Sequence, residues 1–157
     1  MPGGQDASAC RRGQNLLCRA GPIGLYTKAM LTSHSLPRIW LICGALAAGT
    51  GTIMGALAAH LPDTAFGAGG RAMAHSAMDM QMWHGIALVA LGQGTATRRN
   101  RLVLAGGTGL LVGMLLFCGG VYYTAFTGLR INHLAPTGGS LIILSWLALA
   151  AGWIRRA

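Results

Sequence analysis

Long apolar runs separated by short polar segments dominate the chain from residue 39 onward. A helix needs about 20 apolar residues to cross the hydrocarbon layer of a bilayer. Four runs meet that length: residues 39–59, 77–96, 102–126 and 136–154. The second run is the most polar, because Asp79 and Gln81 stand near its start. The pattern predicts an all-α integral membrane protein, a bundle of four transmembrane helices.

The positive charges predict how this bundle is oriented. Ten of the twelve lysines and arginines lie before the first run, between the second and third, or after the fourth. Only Arg71 and Arg130 lie on the opposite side. Since lysine and arginine are enriched on the cytoplasmic side, we expect both termini to face the cytoplasm, or the matrix of an organelle. The link between the second and third runs spans about five residues, which predicts antiparallel neighbours.

Amino-acid composition indicates that the chain interacts with a lipid bilayer and not with nucleic acid. The chain has 157 residues, 53% of them hydrophobic and 10% charged, whereas soluble domains carry about a quarter charged residues. The net charge is +9, but the basic residues neither form one patch nor interleave with aromatic residues, as nucleic-acid binding requires. We therefore expect the lipid bilayer as partner, in a bacterial inner membrane, with other membrane proteins or a second copy as further partners, and no nucleic acid.

Residues 1–37 are rich in glycine, arginine and polar residues, without sustained periodicity. This composition predicts a mobile basic tail before a transmembrane domain at 38–157. Two alternatives stay open: Met30 as the true start, after a gene-model extension, and an organelle presequence. A cleaved signal peptide ending near Ala56-Leu57-Ala58 fits less well, because its apolar core of about 20 residues exceeds the usual 7 to 15.

Small residues recur within the predicted helices. Gly51 with Gly55, and Gly109 with Gly113, form small-x-x-x-small patterns that let helix backbones approach closely. In so glycine-rich a chain, this pattern favours tight packing inside the bundle over a dedicated dimer face.

The cysteines do not predict a disulfide. At 1.5 Å per residue, Cys43 lies about 8 Å above Arg38 and Cys118 about 26 Å above Arg101. A bridge needs Cα atoms within about 7 Å, so this pair is excluded. Cys10 and Cys18 precede the first run, on the reducing side, and are expected to be free thiols.

Six polar residues are candidates for a functional site: His60, Gln81, His84, Tyr122, Tyr123 and His133. His60 lies about 33 Å along the first run from its cytoplasmic end, and the two tyrosines about 32 Å along the third. Both levels are near the outer surface of a core about 30 Å thick, and His133 falls at a similar height. His84 reaches only about 21 Å, within the hydrocarbon region, with Gln81 one turn nearer the surface.

Two interpretations of His84 stay open. Intramembrane histidines act as ligands or proton carriers, here together with His60, or as neutral imidazoles that bond a neighbouring helix. The sequence has no intramembrane carboxylate to partner His84, which favours the second interpretation. The tyrosines are typical of an aromatic belt at the interface.

The segment "MAHSAMDMQMWHG", residues 73–85, holds four methionines and two histidines. Thioether and imidazole groups are soft ligands that suit copper. However, Met80 and His84 share one helix face, while Met78 and Met82 share another. Because the ligands are split between faces, we expect no metal site, and interpret the segment as an outer loop that turns into a helix with methionines as apolar filler.

Four ordered motifs resemble the YgdD-like family of small membrane proteins, whose function is unknown and which has mitochondrial relatives. They are "GALAAH" at 55–60, "QMWHGIALV" at 81–89, "GMLLFCGGVYYTAFTG" at 113–128 and "APTGG" at 135–139. The resemblance covers about residues 36–157 and implies a four-helix membrane fold. It assigns no reaction, cofactor or substrate; His60 and His84 are matched motif positions without a known role.

The chain departs from the family pattern at several motif positions. Ala58 stands where the family tends to have Gly, Trp83 where Tyr is common, and Cys118 and Gly120 where serines are common. The loss of small hydroxyls near Tyr122 weakens any proposal of a polar relay.

The sequence therefore predicts a non-enzymatic accessory or interaction subunit, because it holds no set of nucleophile, base and orienting residue. Two alternatives remain: a metal- or haem-binding membrane protein with His60 and His84 as ligands, and an oligomeric proton-coupled transporter or channel. No catalytic residue and no cofactor is assigned.

Overall fold

The computed structural model describes residues 35–94 and 100–155, and Leu36–Ala157 forms one compact unit. The described residues form four α-helices: α1 Ser35–His60, α2 Gly70–Gln93, α3 Arg101–Thr127 and α4 Leu134–Ile154. One 3₁₀ turn, Asp63–Ala65, joins α1 to α2, and the described residues contain no strand. The all-helical prediction is confirmed. Residues 35–37 of the predicted tail belong to α1, and the rest of that tail lies outside the described residues.

Helices α1, α3 and α4 are long and apolar enough to cross a membrane. Their bounds match the predicted runs within a few residues, because the length of an apolar run is readable from sequence alone. Helix α2 has the necessary length, at 24 residues, but is not among these candidate spans within the described part of the chain. Its first half carries Arg71, His75, Asp79 and Gln81, which lower its mean hydropathy.

Helix α2 begins seven residues before the predicted second run, so residues 73–85 are entirely helical. The expectation of an outer loop in this segment was wrong. Gly69 has a φ of 67°, a left-handed conformation that glycine adopts without strain and that turns the chain into the helix. A Cβ at Gly70 would collide with the carbonyl oxygen of Ala125, so the start of α2 is seated directly on the end of α3.

Helices α3 and α4 pack through small residues. A Cβ added to Gly138 would collide with the backbone nitrogen of Phe117, and one added to Gly113 would lie 3.0 Å from the carbonyl oxygen of Gly138. Near the other end of the pair, a Cβ at Gly152 would lie 2.8 Å from a methyl of Val103. The two backbones approach closely because these positions lack side chains.

Helices α1 and α2 also meet at glycines. A Cβ on Gly44 would lie 2.6 Å from the carbonyl oxygen of Gly85. Further along, the sulfur of Met82 lies over Gly51 and that of Met78 over Gly55, at 2.8 and 2.6 Å from the respective Cβ positions. These two methionines fill the space above a pair of glycines inside the bundle, as apolar filler does.

The described cysteines, Cys43 and Cys118, are free thiols, as their separation in depth predicts. Cys10 and Cys18 lie outside the described residues.

Candidate functional site: polar contacts between the helices

Gln81 joins α2 to α1 in the middle of the bundle. Its side chain is buried, and its amide nitrogen donates to the carbonyl oxygen of Ala47 at 2.8 Å and to the hydroxyl of Thr50 at 2.7 Å. Both amide protons are thereby used, so the donor half of this carboxamide is satisfied without water. In hydrocarbon such bonds stabilise helix association by about 0.6 to 2 kcal/mol each.

His84 joins α2 to α4. It is buried, its Nδ1 lies 2.6 Å from the carbonyl oxygen of Met80, and the indole nitrogen of Trp146 lies 3.3 Å from its Nε2. A carbonyl only accepts and an indole N–H only donates, so the proton is on Nδ1 and the Nε2 lone pair accepts from Trp146. Both ring nitrogens are used in a neutral imidazole, which leaves neither lone pair for a metal. This is the arrangement expected of a histidine that joins helices.

The remaining described histidines stand apart from His84. His60, His75 and His133 are exposed. Gly85 contacts Gly44, and His60 lies sixteen residues further along α1, so about 24 Å separates the levels of His60 and His84. The two histidines matched in the motifs therefore do not share a site. Among the described residues, no group of three or more His, Cys, Asp or Glu side chains is placed to hold a metal ion.

The tyrosine pair divides between two environments. Tyr123 is 42% exposed, whereas the Tyr122 hydroxyl is buried and has no hydrogen-bond partner in the part of the chain that the structure describes. Tyr122 also lines a groove of about 360 Å³ between α1 and α3, with Gln81 in its wall. Leu46 and Leu115 line the same groove and are each more than 60% exposed, so the groove opens sideways, towards lipid.

Arg71 organises the end of the bundle at which α1 ends and α2 begins. Its guanidinium donates to the carbonyl oxygens of Ala58 and, at 2.6 Å, Leu61, and forms an ion pair with Asp63 at 2.8 Å. It also lies over the ring of Phe66, 4.9 Å from the centroid. Arg71, the second residue of α2, thus bonds one carbonyl group in the last turn of α1, where such groups have no partner within the helix, and one just after it.

Asn100 and Cys118 supply two further contacts between helices. The amide of Asn100 donates to the carbonyl oxygen of Gly152 in α4 at 2.6 Å, while its side-chain oxygen accepts from the backbone of Leu102 and caps α3. The thiol of Cys118 donates to the carbonyl oxygen of Ala77 in α2, at 3.4 Å. The cysteine thus makes a weaker version of the bond that a hydroxyl would make there.

Sequence reasoning missed Arg71, Asn100, Ser145 and Trp146 as structural residues. Arg71 and Asp63 were detectable as opposite charges eight residues apart in a region with few charges, and Asn100 as a capping residue before an apolar run. Trp146 was not, because its partner is 62 residues away. Ser145, also buried, bonds the carbonyl oxygen of Leu141 in its own helix.

Taken together, these side chains hold the four helices to one another by hydrogen bonds. The donors of Gln81, Arg71, Asn100 and Cys118 are directed at carbonyl oxygens of other helices, those of Ala47, Ala58, Gly152 and Ala77. The described residues present no nucleophile with an adjacent base.

Comparison with known proteins agrees with this picture of a membrane bundle. The family described as "Protein of unknown function (DUF423)" matches residues 54–139, a range that contains all four sequence motifs. The UPF0382 membrane protein of Staphylococcus saprophyticus is 33% identical over 116 residues, which cover 73% of this chain and 96% of that protein.

Relatives from two other bacteria give similar figures. A UPF0382 membrane protein of Staphylococcus epidermidis is 31% identical over 121 residues, 76% of this chain and 98% of the relative. One from Haemophilus influenzae is 33% identical over 100 residues, 63% of this chain and 80% of the relative. No solved structure matches the chain.

Proposed function

Because the chain belongs to the DUF423 family, with the UPF0382 membrane proteins, we propose that it is a non-enzymatic interaction subunit of a bacterial inner membrane. One observation carries this proposal: the buried polar side chains Gln81, His84 and Ser145 are all used in hydrogen bonds within the bundle, and among the described residues only the Tyr122 hydroxyl is buried without a partner. An enzyme or a proton pathway needs polar groups left available for a substrate or a proton. The finer identification as a YgdD-like member rests on the four motifs.

The proposed orientation has both ends of the bundle in the cytoplasm. The distribution of ten against two positive residues supports it, and the Arg71 network then lies at the outer surface. Reporter domains fused after Arg155 and within the loop at Leu129–Asn132 would test this topology. Cytoplasmic activity at the first site and external activity at the second are expected, and the reverse pattern would contradict it.

The metal- or haem-binding alternative has less support. His84 has both ring nitrogens engaged, and His60 lies about 24 Å away along the membrane normal. The transporter alternative would need a continuous polar path. The groove beside Tyr122 instead has a mainly apolar lining and opens sideways.

The test is a native mass of the protein, expressed from its own chromosomal locus and released gently from its own membrane. Additional mass that corresponds to polypeptide would support an interaction subunit. Stoichiometric copper, or a haem absorbance that disappears in a His84→Gln variant, would overturn the proposal. A matched His133→Gln variant controls for histidine loss at the surface, since His133 is exposed.

A further inference from the structure

The groove between α1 and α3 is apolar along most of its length and polar at one end. Leu46, Met114 and Leu115 are among its apolar lining residues, and it opens sideways, towards lipid. Its volume of about 360 Å³ falls within the range of pockets that bind small molecules, roughly 300 to 1,000 Å³. Among the described residues, no Asp, Glu, Lys, Arg or His side chain lines it. A ligand would therefore enter from the bilayer and have an apolar chain and an uncharged head group.

Gln81 presents an unused acceptor at the polar end. Its amide nitrogen donates to the carbonyl oxygen of Ala47, and because a carbonyl only accepts, this contact identifies which end of the carboxamide is oxygen. That oxygen, Oε1, accepts no hydrogen bond from the described residues, since both bonds of the side chain are made by the nitrogen. It is accessible, because the one buried and unpartnered side-chain oxygen or nitrogen there belongs to Tyr122. An acceptor of this kind among apolar side chains calls for a donor.

Tyr122 presents an unused donor at the same end of the groove. It is a lining residue, and its hydroxyl is buried without a partner among the described residues. The neighbouring polar groups are already engaged: the Thr50 hydroxyl donates to the carbonyl oxygen of Leu46, and the Cys118 thiol to that of Ala77. Proteins rarely leave a buried hydroxyl unpaired. A molecule in the groove can supply the acceptor that this hydroxyl lacks.

The directions of the helices bring these two groups towards each other. Helices α2 and α3 are antiparallel, and the bond between Cys118 and Ala77 marks a level that they share. Gln81 and Tyr122 each lie four residues, or about 6 Å, from that level, on opposite sides of it. Side chains tilt towards the N-terminus of their own helix, which in this antiparallel pair directs both towards the level of Cys118. The free acceptor and the free donor thus converge on one part of the groove.

We propose that this groove binds a neutral lipid with a free hydroxyl beside an ester carbonyl, the chemistry of a diacylglycerol. The hydroxyl donates to Oε1 of Gln81, and the ester carbonyl accepts from the hydroxyl of Tyr122. One acyl chain lies against Leu46 and Leu115, while the other stays in the bilayer through the sideways opening. A phospholipid would bring a phosphate to a groove without a cation to pair with it. The lipid is bound and not transformed, so this inference goes beyond the proposed function and does not depend on it.

Native mass spectrometry of the delipidated full-length protein in detergent, titrated with dioleoylglycerol, tests the site. We expect one glyceride to bind per chain. The methyl ether of the same glyceride keeps both esters and both acyl chains but lacks the hydroxyl donor, so we expect its affinity to be at least fivefold lower. Dioleoylphosphatidylglycerol and a polyprenol, which has a hydroxyl but no ester, should also bind at least fivefold more weakly. Equal affinity for the glyceride and its methyl ether would overturn the proposal.

Two pairs of variants locate the bound glyceride. Gly119 is an exposed lining residue, and a Cβ there meets nothing within 4 Å, so Gly119→Leu fills the groove without a clash. Gly49→Leu is the matched control, because a Cβ at Gly49 is equally unobstructed but lies outside the groove lining. We expect binding to fall at least tenfold in Gly119→Leu alone. Tyr122→Phe should weaken it about fivefold, whereas Tyr123→Phe should not change it.

The remaining outcomes are also decisive. Undiminished binding in Gly119→Leu or in Tyr122→Phe would show that the glyceride binds elsewhere and would overturn the site. A preference for the phospholipid or the polyprenol would overturn the glyceride as occupant. The comparison with the methyl ether uses the unchanged chain, so it decides the question even if a variant fails to fold. None of these results alters the expectation of a polypeptide partner, which the native mass of the protein from its own membrane tests separately.

Discussion

The α3–α4 pair and helix α2 are held in the bundle in different ways. Gly113 and Gly138 bring α3 and α4 into backbone contact, and a polar side-chain bond is added at one end, from Asn100 at the start of α3 to Gly152. Helix α2 also has a close glycine contact with α1, but it adds a polar bond to each neighbour, through Gln81 to α1, Cys118 to α3 and His84 to α4. Packing of small residues gives proximity, whereas the polar bonds fix the depth and rotation of one particular helix.

The largest effect is expected from filling the small-residue contact. Gly138→Ala places a methyl against the backbone of Phe117, and overpacking of this kind costs about 3 kcal/mol when the obstacle is backbone. Gly139→Ala is the control, because its Cβ would meet the Phe117 ring at an ordinary 3.6 Å. Unfolding in detergent with added SDS measures both. Equal stability of the two variants would show that α3 and α4 are not in backbone contact.

Loss of the Arg71 network is expected to have the next largest effect. Arg71→Ala removes the bonds to Ala58 and Leu61 and the ion pair with Asp63, and bonds of this charge-assisted type stabilise by about 2 kcal/mol, less where water screens them. Arg130→Ala is the control, since Arg130 is exposed. Proteolysis of the loop at Leu61–Gly69 should accelerate in Arg71→Ala alone. An unchanged cleavage rate would mean that Arg71 does not hold this loop.

Gln81 offers a smaller test within the membrane. Gln81→Leu keeps approximate volume but removes the bonds to Ala47 and Thr50, and we expect a loss of about 1 kcal/mol. Gln93→Leu, at the exposed end of α2, should leave stability unchanged. The same SDS titration applies, and a stabilised Gln81→Leu variant would show that the carboxamide is held for function at the expense of stability.

The smallest effect is expected at Tyr122. Its buried hydroxyl lacks a partner in the described residues, and removal of an unsatisfied buried group is neutral or stabilising, by up to about 1 kcal/mol. Tyr122→Phe should therefore keep or raise the melting temperature in detergent, as should Tyr123→Phe at the exposed neighbour. A clear loss of stability in Tyr122→Phe alone would indicate that a bound molecule in the groove accepts its proton.

Much of the architecture was predictable because it depends on local composition. The length of each apolar run predicted α1, α3 and α4 within a few residues, and the separation of Met78 and Met82 from Met80 and His84 followed from helical spacing. The start of α2 was not predictable, because the region before residue 77 is polar and contains adjacent glycines. It is helical because Gly70 is seated on Ala125 and Arg71 bonds the end of α1.

For the candidate site, the sequence predicted which residues lie inside the membrane but not which residues they contact. Gln81 and His84 could be placed in the hydrocarbon layer by counting residues, but their partners depend on the rotation of each helix. Ala47 is 34 residues from Gln81, and Trp146 is 62 residues from His84. His60 belongs to a different sequence motif from Gln81 and His84, and it is exposed at the end of α1.

The tautomer of His84 tests the central claim, that the polar interior serves to join helices. Nitrogen-15 NMR of the histidine-labelled protein in lipid should show the proton on Nδ1, with an Nε2 signal that shifts in Trp146→Phe and remains in place in Trp153→Phe, since Trp153 is exposed at the end of α4. A proton on Nε2, or an Nε2 signal insensitive to Trp146→Phe, would contradict the account and return His84 to the candidates for proton or metal chemistry.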